Sequence, residues 1–139
     1  MRTVAGEPQR LYAAQRVGPT GVDLLFAATM TFADDVVATF DCGLEVPDRA
    51  RFEVVGDTGA IVLDDPFLAV EATLELRRNE GVERIEVEAA NAYRLELEDM
   101  ARAARGEKDV LVGRADAVPQ ARAIEALLSS AASGEPVDL

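Results

Sequence analysis

Histidine and tryptophan are absent from the 139 residues, and cysteine and lysine occur once each, as Cys42 and Lys108. Without histidine there is no imidazole acid or base, no Ser-His-Asp triad and no His-ligated metal site within this chain. A single cysteine permits neither an intrachain disulfide nor a thiolate zinc cluster. Basic charge is also scarce, 14 Lys plus Arg against 26 Asp plus Glu, for a net charge of −12. That balance repels phosphate backbones and anionic headgroups, so neither a nucleic acid nor a membrane surface is an expected partner. No apolar run approaches the 18 or more residues of a membrane-crossing helix. The opening Met-Arg-Thr-Val-Ala-Gly-Glu-Pro has no long apolar stretch after its charge, so it is not a signal peptide, and a cytoplasmic protein is expected. What remains is a chain of ordinary apolar content with no linker or low-complexity tract, read as one domain over residues 1–139.

From Glu7 to about Ala89 apolar and polar residues alternate in short runs between turn residues, which is the pattern of β-strands. Across Gly21 to Glu45, Leu24, Phe26, Ala28, Met30 and Phe32 share one face. Val36, Ala38, Phe40, Cys42 and Leu44 continue that face beyond Ala33-Asp34-Asp35. This predicts a long hairpin with one greasy side. Its other side carries Leu25, Ala27, Thr29 and Thr31, then Val37, Thr39, Asp41 and Gly43, too apolar to be left in free water. Further strands are predicted at Arg51–Val55, Ala60–Leu63, Ala69–Arg77 and Val82–Ala89. Gly56-Asp57-Thr58-Gly59 and Arg78-Asn79-Glu80-Gly81 serve as turns, and Asp64-Asp65-Pro66 as an interruption.

Helical spacing takes over from Tyr93. Tyr93, Leu97, Met100, Ala101 and Ala104 define one helix, with Asn91 as N-cap and Gly106 as a left-handed C-terminal residue. A second helix spans Arg114 to Ser133 and ends at Gly134, with Ala117, Ala121, Ile124, Leu128 and Ala131 as its apolar stripe. Pro119 is tolerable only because it falls near the first turn, where a backbone N–H has little or no helical partner. Glu135 to Leu139 returns as a short edge strand. Strands first and helices last imply an α+β domain, in which helices cover one face of an open, mostly antiparallel (mixed) sheet. The uncovered face, centred on Thr29, Thr31, Thr39 and Asp41, is suited to isologous packing against a second copy.

Other candidates have bland readings. Gly56-x-x-Gly59 lacks the helix and lysine of a phosphate loop and reads as a hairpin turn. Asp34-Asp35 and Asp64-Asp65 lack the alternating oxygen ligands of a calcium site, so no metal is expected. Cys42, with no histidine to activate it, is expected to be a buried and inert thiol. Arg16 and Asp23 stand at strand ends, where ligand groups gather, and are the candidate rim of a pocket.

Gly21-Val22-Asp23 through Phe32, Val36 through Asp41 and Glu53 through Ile61 together resemble the C-terminal domain of the Gfo/Idh/MocA oxidoreductases. Tyr93 through Met100 with Ala103 and Gly106, Asp116-Ala117, Ile124 through Leu127, Ser130, Gly134, Pro136 and Val137 extend the resemblance to the tail. Gly6-Glu7-Pro8 is similar to the segment entering that domain's first long strand. The resemblance implies a C-terminal domain that forms a dimer and one wall of a substrate pocket. It implies NAD or NADP in a preceding Rossmann domain, and a sugar, polyol or diol as substrate, with dihydrodiol and xylose dehydrogenases the nearest subgroup. The family's Gly-rich fingerprint, Glu-Lys-Pro context and frequent histidine have no counterpart here, so neither a catalytic nor a cofactor-binding residue is assigned and no hydride transfer is expected of this chain alone. Asp34-Asp35 departs from the Gly-containing turn common in the family. The alternative is a stand-alone ligand-binding or scaffold module using the same open sheet.

Overall fold

A computed structural model describes residues 1–67 and 73–139. In chain order the elements are α1 (Arg2–Ala5), β1 (Arg10–Val17), β2 (Asp23–Thr31), β3 (Val37–Gly43), β4 (Arg51–Val55), β5 (Ala60–Asp64), β6 (Thr73–Arg78), β7 (Gly81–Glu86), α2 (Ala92–Ala104), α3 (Arg114–Ser133) and β8 (Val137–Asp138). The α+β class and the open, antiparallel sheet are as the sequence indicates. The strands, however, are shared between two four-stranded sheets, β3-β2-β1-β8 and β4-β5-β6-β7, in which every pairing of the described strands is antiparallel. They fall in two compact units, Met1–Val46 with Val112–Leu139, and Pro47–Leu111. The predicted strand Ala69–Arg77 is seen as β6 from Thr73, and residues 69–72 lie outside the described residues. The predicted Val82–Ala89 ends early, at Glu86.

In the first unit, period-two alternation does what it must. Leu11 and Ala13 of β1 and Phe26, Ala28 and Met30 of β2, with Phe32 just beyond it, turn to one side and pack with Ala126 and Leu127 of α3. Burying a side chain the size of Leu, Met or Phe contributes about 1.5–3 kcal/mol. Phe40 of β3 stacks on Phe26 with ring centroids 6.1 Å apart. The stripe expected on α3 is not the one it buries. Ala123, Ala126, Leu127 and Ser130 face the sheet, while Ile124 and Leu128 remain about half exposed, at 47% and 49%. The small residues let the helix approach closely, and Ser130 adds a polar reason. Its Oγ accepts from the Ala13 N–H at 3.0 Å and donates to the Glu135 carbonyl at 2.7 Å. β8 pairs only with Arg10 and Leu11, so Ala13 lies past its reach and Ser130 serves in place of a strand. Pro119 also differs from expectation. The Ala117 N–H already bonds the Gly113 carbonyl, so the proline sits in the second turn and removes the donor that the Ala115 carbonyl would receive.

The four-residue α1, too short to show a period, was not legible in sequence. Its Arg2 donates to Glu7 at 2.8 and 2.6 Å and to Gln120 at 2.9 Å, and pairs with Asp116 at 3.1 Å, joining the N-terminal segment to the start of α3. The Arg2 hydrogen bonds hold the Glu7 carboxyl below its ordinary range.

The β2–β3 turn explains the aspartate pair. Asp34 and Asp35 both take left-handed backbone, at φ 56° and 57°, within the three-residue connection Ala33-Asp34-Asp35 that lets the Phe32 N–H reach the Val36 carbonyl at 2.8 Å. Asparagine and glycine tolerate that geometry best, so the pair carries a cost. Asp35→Gly is expected to stabilise the chain by about 1 kcal/mol, read as a rise in Tm of roughly 3 °C by circular dichroism. A lower Tm would contradict the turn geometry.

In the second unit Gly56-x-x-Gly59 is the β4–β5 turn, closed by the Gly56 N–H on the Gly59 carbonyl at 2.8 Å. A Cβ at Gly59 would collide with the Arg77 carbonyl oxygen, so strand packing, not an anion, demands this glycine. Asn91 caps α2, accepting from the Arg94 N–H at 2.9 Å. Gly106 (φ 73°) ends it, its N–H on the Ala103 carbonyl and that of Glu107 on Arg102. No residue of α2 is buried, and Tyr93, Leu97 and Met100 are exposed.

Candidate functional site

The face of the first sheet opposite α3 is built by alternation and register. Three cross-strand rows define it. Tyr12, Thr29 and Thr39 lie side by side, then Ala14, Ala27 and Asp41, then Arg16, Leu25 and Gly43, while Arg10, Thr31 and Val37 complete the other end. Its centre is uncharged and exposed, and its charges sit on β1's ends and on β3. Both arginines are held by carboxylates of this chain. Arg10 pairs with Asp138 at 3.3 Å, and Arg16 donates to Glu45 at 3.0 Å. Thr31, half-buried, donates to the Arg10 carbonyl at 3.4 Å.

Thr29, Thr31, Thr39 and Asp41, singled out in sequence, are thus brought to one face. Tyr12 and Ala14 were missed there, although the alternation of Leu11 and Ala13 with Tyr12 and Ala14 carries the signal. Arg16 and Asp23 come to the same end of the sheet, where β1 turns into β2 through Gly18–Val22, closed by the Gly18 N–H on the Val22 carbonyl at 2.8 Å. Arg16 lines a shallow depression of about 300 Å³ with Ala14, Leu25, Ala27 and Asp41, and with Gln15, Phe26 and Cys42 beside them; Asp23 does not. Cys42 is exposed rather than buried. Val36 and Leu44 are likewise exposed, because α3 runs against β1 and β8 and leaves the edge strand β3 less covered.

A second cluster of charge lies in the other unit. Arg77 donates to Glu75 Oε2 at 3.0 and 2.6 Å and Arg84 donates to Oε1 at 3.1 Å. The Arg77 hydrogen bonds keep the Glu75 carboxyl below the usual carboxylate range, so it is a satisfied acceptor rather than a proton carrier. Among the described residues no group of three or more acidic or cysteine side chains could hold a metal ion, and no helix is long and apolar enough to cross a membrane.

A dinucleotide does not fit the described residues either. Its usual cradle is a strand leading through a Gly-rich turn into a helix of a parallel sheet. Here the strands pair antiparallel, α2 follows Val87-Glu88-Ala89-Ala90-Asn91, and α3 follows α2.

Residues 1–62 match the family model described as the GFO/IDH/MocA C-terminal domain. No curated protein matches the sequence. Among solved structures, aldose-aldose oxidoreductase from Caulobacter crescentus, complexed with glycerol, has a TM-score of 0.86 at 19% identity, over 99% of this chain and 43% of its own. Levoglucosan dehydrogenase, in complex with NADH and L-sorbose, has 0.78 at 21% over 99% and 46%. An oxidoreductase from Agrobacterium radiobacter, in complex with NAD+, L-tartaric acid and magnesium, has 0.72 at 18% over 99% and 45%. At these identities the likeness is one of fold. The resemblance read from sequence holds over residues 1–62 by the family match and over the whole chain in fold. The chain spans less than half the length of these solved proteins.

Proposed function

We infer that this chain, of the Gfo/Idh/MocA C-terminal domain type by its first 62 residues and by its fold throughout, is the C-terminal domain of an NAD(P)-dependent oxidoreductase acting on a sugar, polyol or related diol. In this reading it supplies a self-association surface and one wall of the substrate site, and hydride transfer belongs to residues outside it. The observation that carries the association is the open face, whose exposed centre of Tyr12, Ala14, Ala27, Thr29 and Thr39 is uncharged on a chain with a net charge of −12. Like-charged copies meet with least repulsion where charge is absent or already neutralised. Arg16 and Asp23, at the β1–β2 end, are the residues proposed to face substrate.

The division of labour is tested by titrating the chain into NADH and NADPH and following the nucleotide's own fluorescence, which no tryptophan obscures. The expected outcome is no saturable change up to roughly millimolar protein, weaker than any functional nucleotide site. Saturable binding would mean that the cofactor is held here, and the assignment would fall.

A further inference from the structure

We propose that the N-terminal segment is a strap over the core of the first unit and that Arg2 is its buckle, fastening the strap to the start of α3 so that the two open together as one local unit. Residues 1–8 precede the sheet, which begins with the Gln9 N–H on the Thr31 carbonyl at 2.8 Å. Within that stretch Met1 and Ala5 pack against the core that Leu11, Phe32 and Leu127 help to form. A helix as short as α1 has no stability of its own in water, and Gly6, at φ 80°, turns the chain away from it. Among the described residues, every hydrogen bond and ion pair that joins residues 1–8 to the rest of the chain is made by Arg2.

Arg2 fastens to the weak end of α3. Gly113, the N-cap, offers no side chain to the first N–H groups, and Pro119 leaves the Ala115 carbonyl without its helical donor. Asp116 and Gln120 stand one turn apart across this weakness, and a single guanidinium bridges them. Its Nη1 donates to Gln120 Oε1 at 2.9 Å and pairs with Asp116 Oδ1 at 3.1 Å, while Nη2 reaches the Asp116 carbonyl at 3.4 Å. Glu7, at the other end of the strap, accepts from Nε and Nη2 at 2.8 and 2.6 Å and so fixes the plane of the guanidinium. The Arg2 side chain is only 11% exposed. Opening the strap therefore breaks the bridge across the first turns of α3, and fraying of those turns breaks the bonds that hold the strap.

Native-state hydrogen exchange of the whole chain, resolved by residue, tests this with wild type, Arg2→Ala, Gln120→Ala and the exposed Thr3→Ala. The reporters are the bonded amides of Ala5 and Gly6 in the strap and of Asp116 and Ala117 in α3. In wild type all four are expected to exchange with one protection factor, within about threefold, and at least roughly 10-fold below that of the β1–β2 amides. Arg2→Ala should speed all four alike, on the order of 10-fold or more. Gln120→Ala should speed them about threefold, and Thr3→Ala should leave them unchanged. Wild-type reporters as protected as the sheet overturn the local unit. Faster exchange at Ala5 and Gly6 with Asp116 and Ala117 unaltered overturns their joint opening, and no acceleration in Arg2→Ala overturns the buckle. If Arg2→Ala does not fold, Gln120→Ala decides on the same amides, and unchanged rates there overturn the proposal.

Discussion

Ser130→Ala is expected to destabilise the chain by about 2–3 kcal/mol, lowering Tm by on the order of 10 °C. The residue is fully buried, and its hydroxyl joins three pieces of chain, accepting from Ala13 of β1, projecting from α3 and donating to Glu135 just before β8. Alanine removes no volume of consequence and adds no strain. What it does is leave the Ala13 N–H with no acceptor at a place where β8 has already ended and the helix keeps water out. An orphaned buried donor costs about 1–3 kcal/mol, and losing the bond to the Glu135 carbonyl adds to it. A Tm within about 2 °C of wild type, less than roughly 1 kcal/mol, would mean that water reaches Ala13 and that Ser130 only fills space. Ala123→Ser, on the same helix face, is a useful control for burying a hydroxyl as such.

Thr29→Arg is expected to abolish self-association, raising the dissociation constant at least on the order of 100-fold, about 2.8 kcal/mol. Thr29 is exposed and central, between Tyr12 on β1 and Thr39 on β3. A long charged side chain there would stand in the uncharged centre of the face and hold the two copies apart, and a two-fold interface would contain it twice. The folded chain itself should be indifferent, with stability within about 0.5 kcal/mol of wild type, as for other exposed substitutions. That separation makes Thr29 a cleaner probe than Thr31, which is half-buried, bonds the Arg10 carbonyl and would place a new arginine beside an existing one. Unaltered association of a folded Thr29→Arg variant would remove the open face as the interface.

The two sides of the β2–β3 hairpin were legible because a strand's period of two leaves little freedom once Phe26, Ala28, Met30 and Phe32 must be buried. Every threonine on the other side then follows, and the register of the structure sets Thr29 opposite Thr39 there. The same rule could not say which strands share a sheet. Alternation assigns a face, not a neighbour, and no glycine- or serine-rich linker marks the passage from Val46 to Pro47 or from Leu111 to Val112 where the two units meet in sequence. The buried stripe of α3 was hidden for a different reason. Hydrophobicity points to Ile124 and Leu128, yet close helix–sheet approach and the needs of Ala13 select Ala123, Ala126 and Ser130. Cys42 followed its strand's greasy face faithfully in sequence. Its exposure depends on where α3 lies, which no local pattern encodes. The rim residues Arg16 and Asp23 were placed at one end of the sheet by the hairpin alone, whereas the depression beside Arg16 required Ala14 and Ala27 from two strands in register.

The mass of the wild-type chain in solution, by sedimentation equilibrium at micromolar concentration, tests the account most directly. The open face predicts a dimer of 29.8 kDa, twice the 14.9 kDa of one chain, shifting to a single chain on Thr29→Arg. A species of 14.9 kDa at every concentration would contradict it.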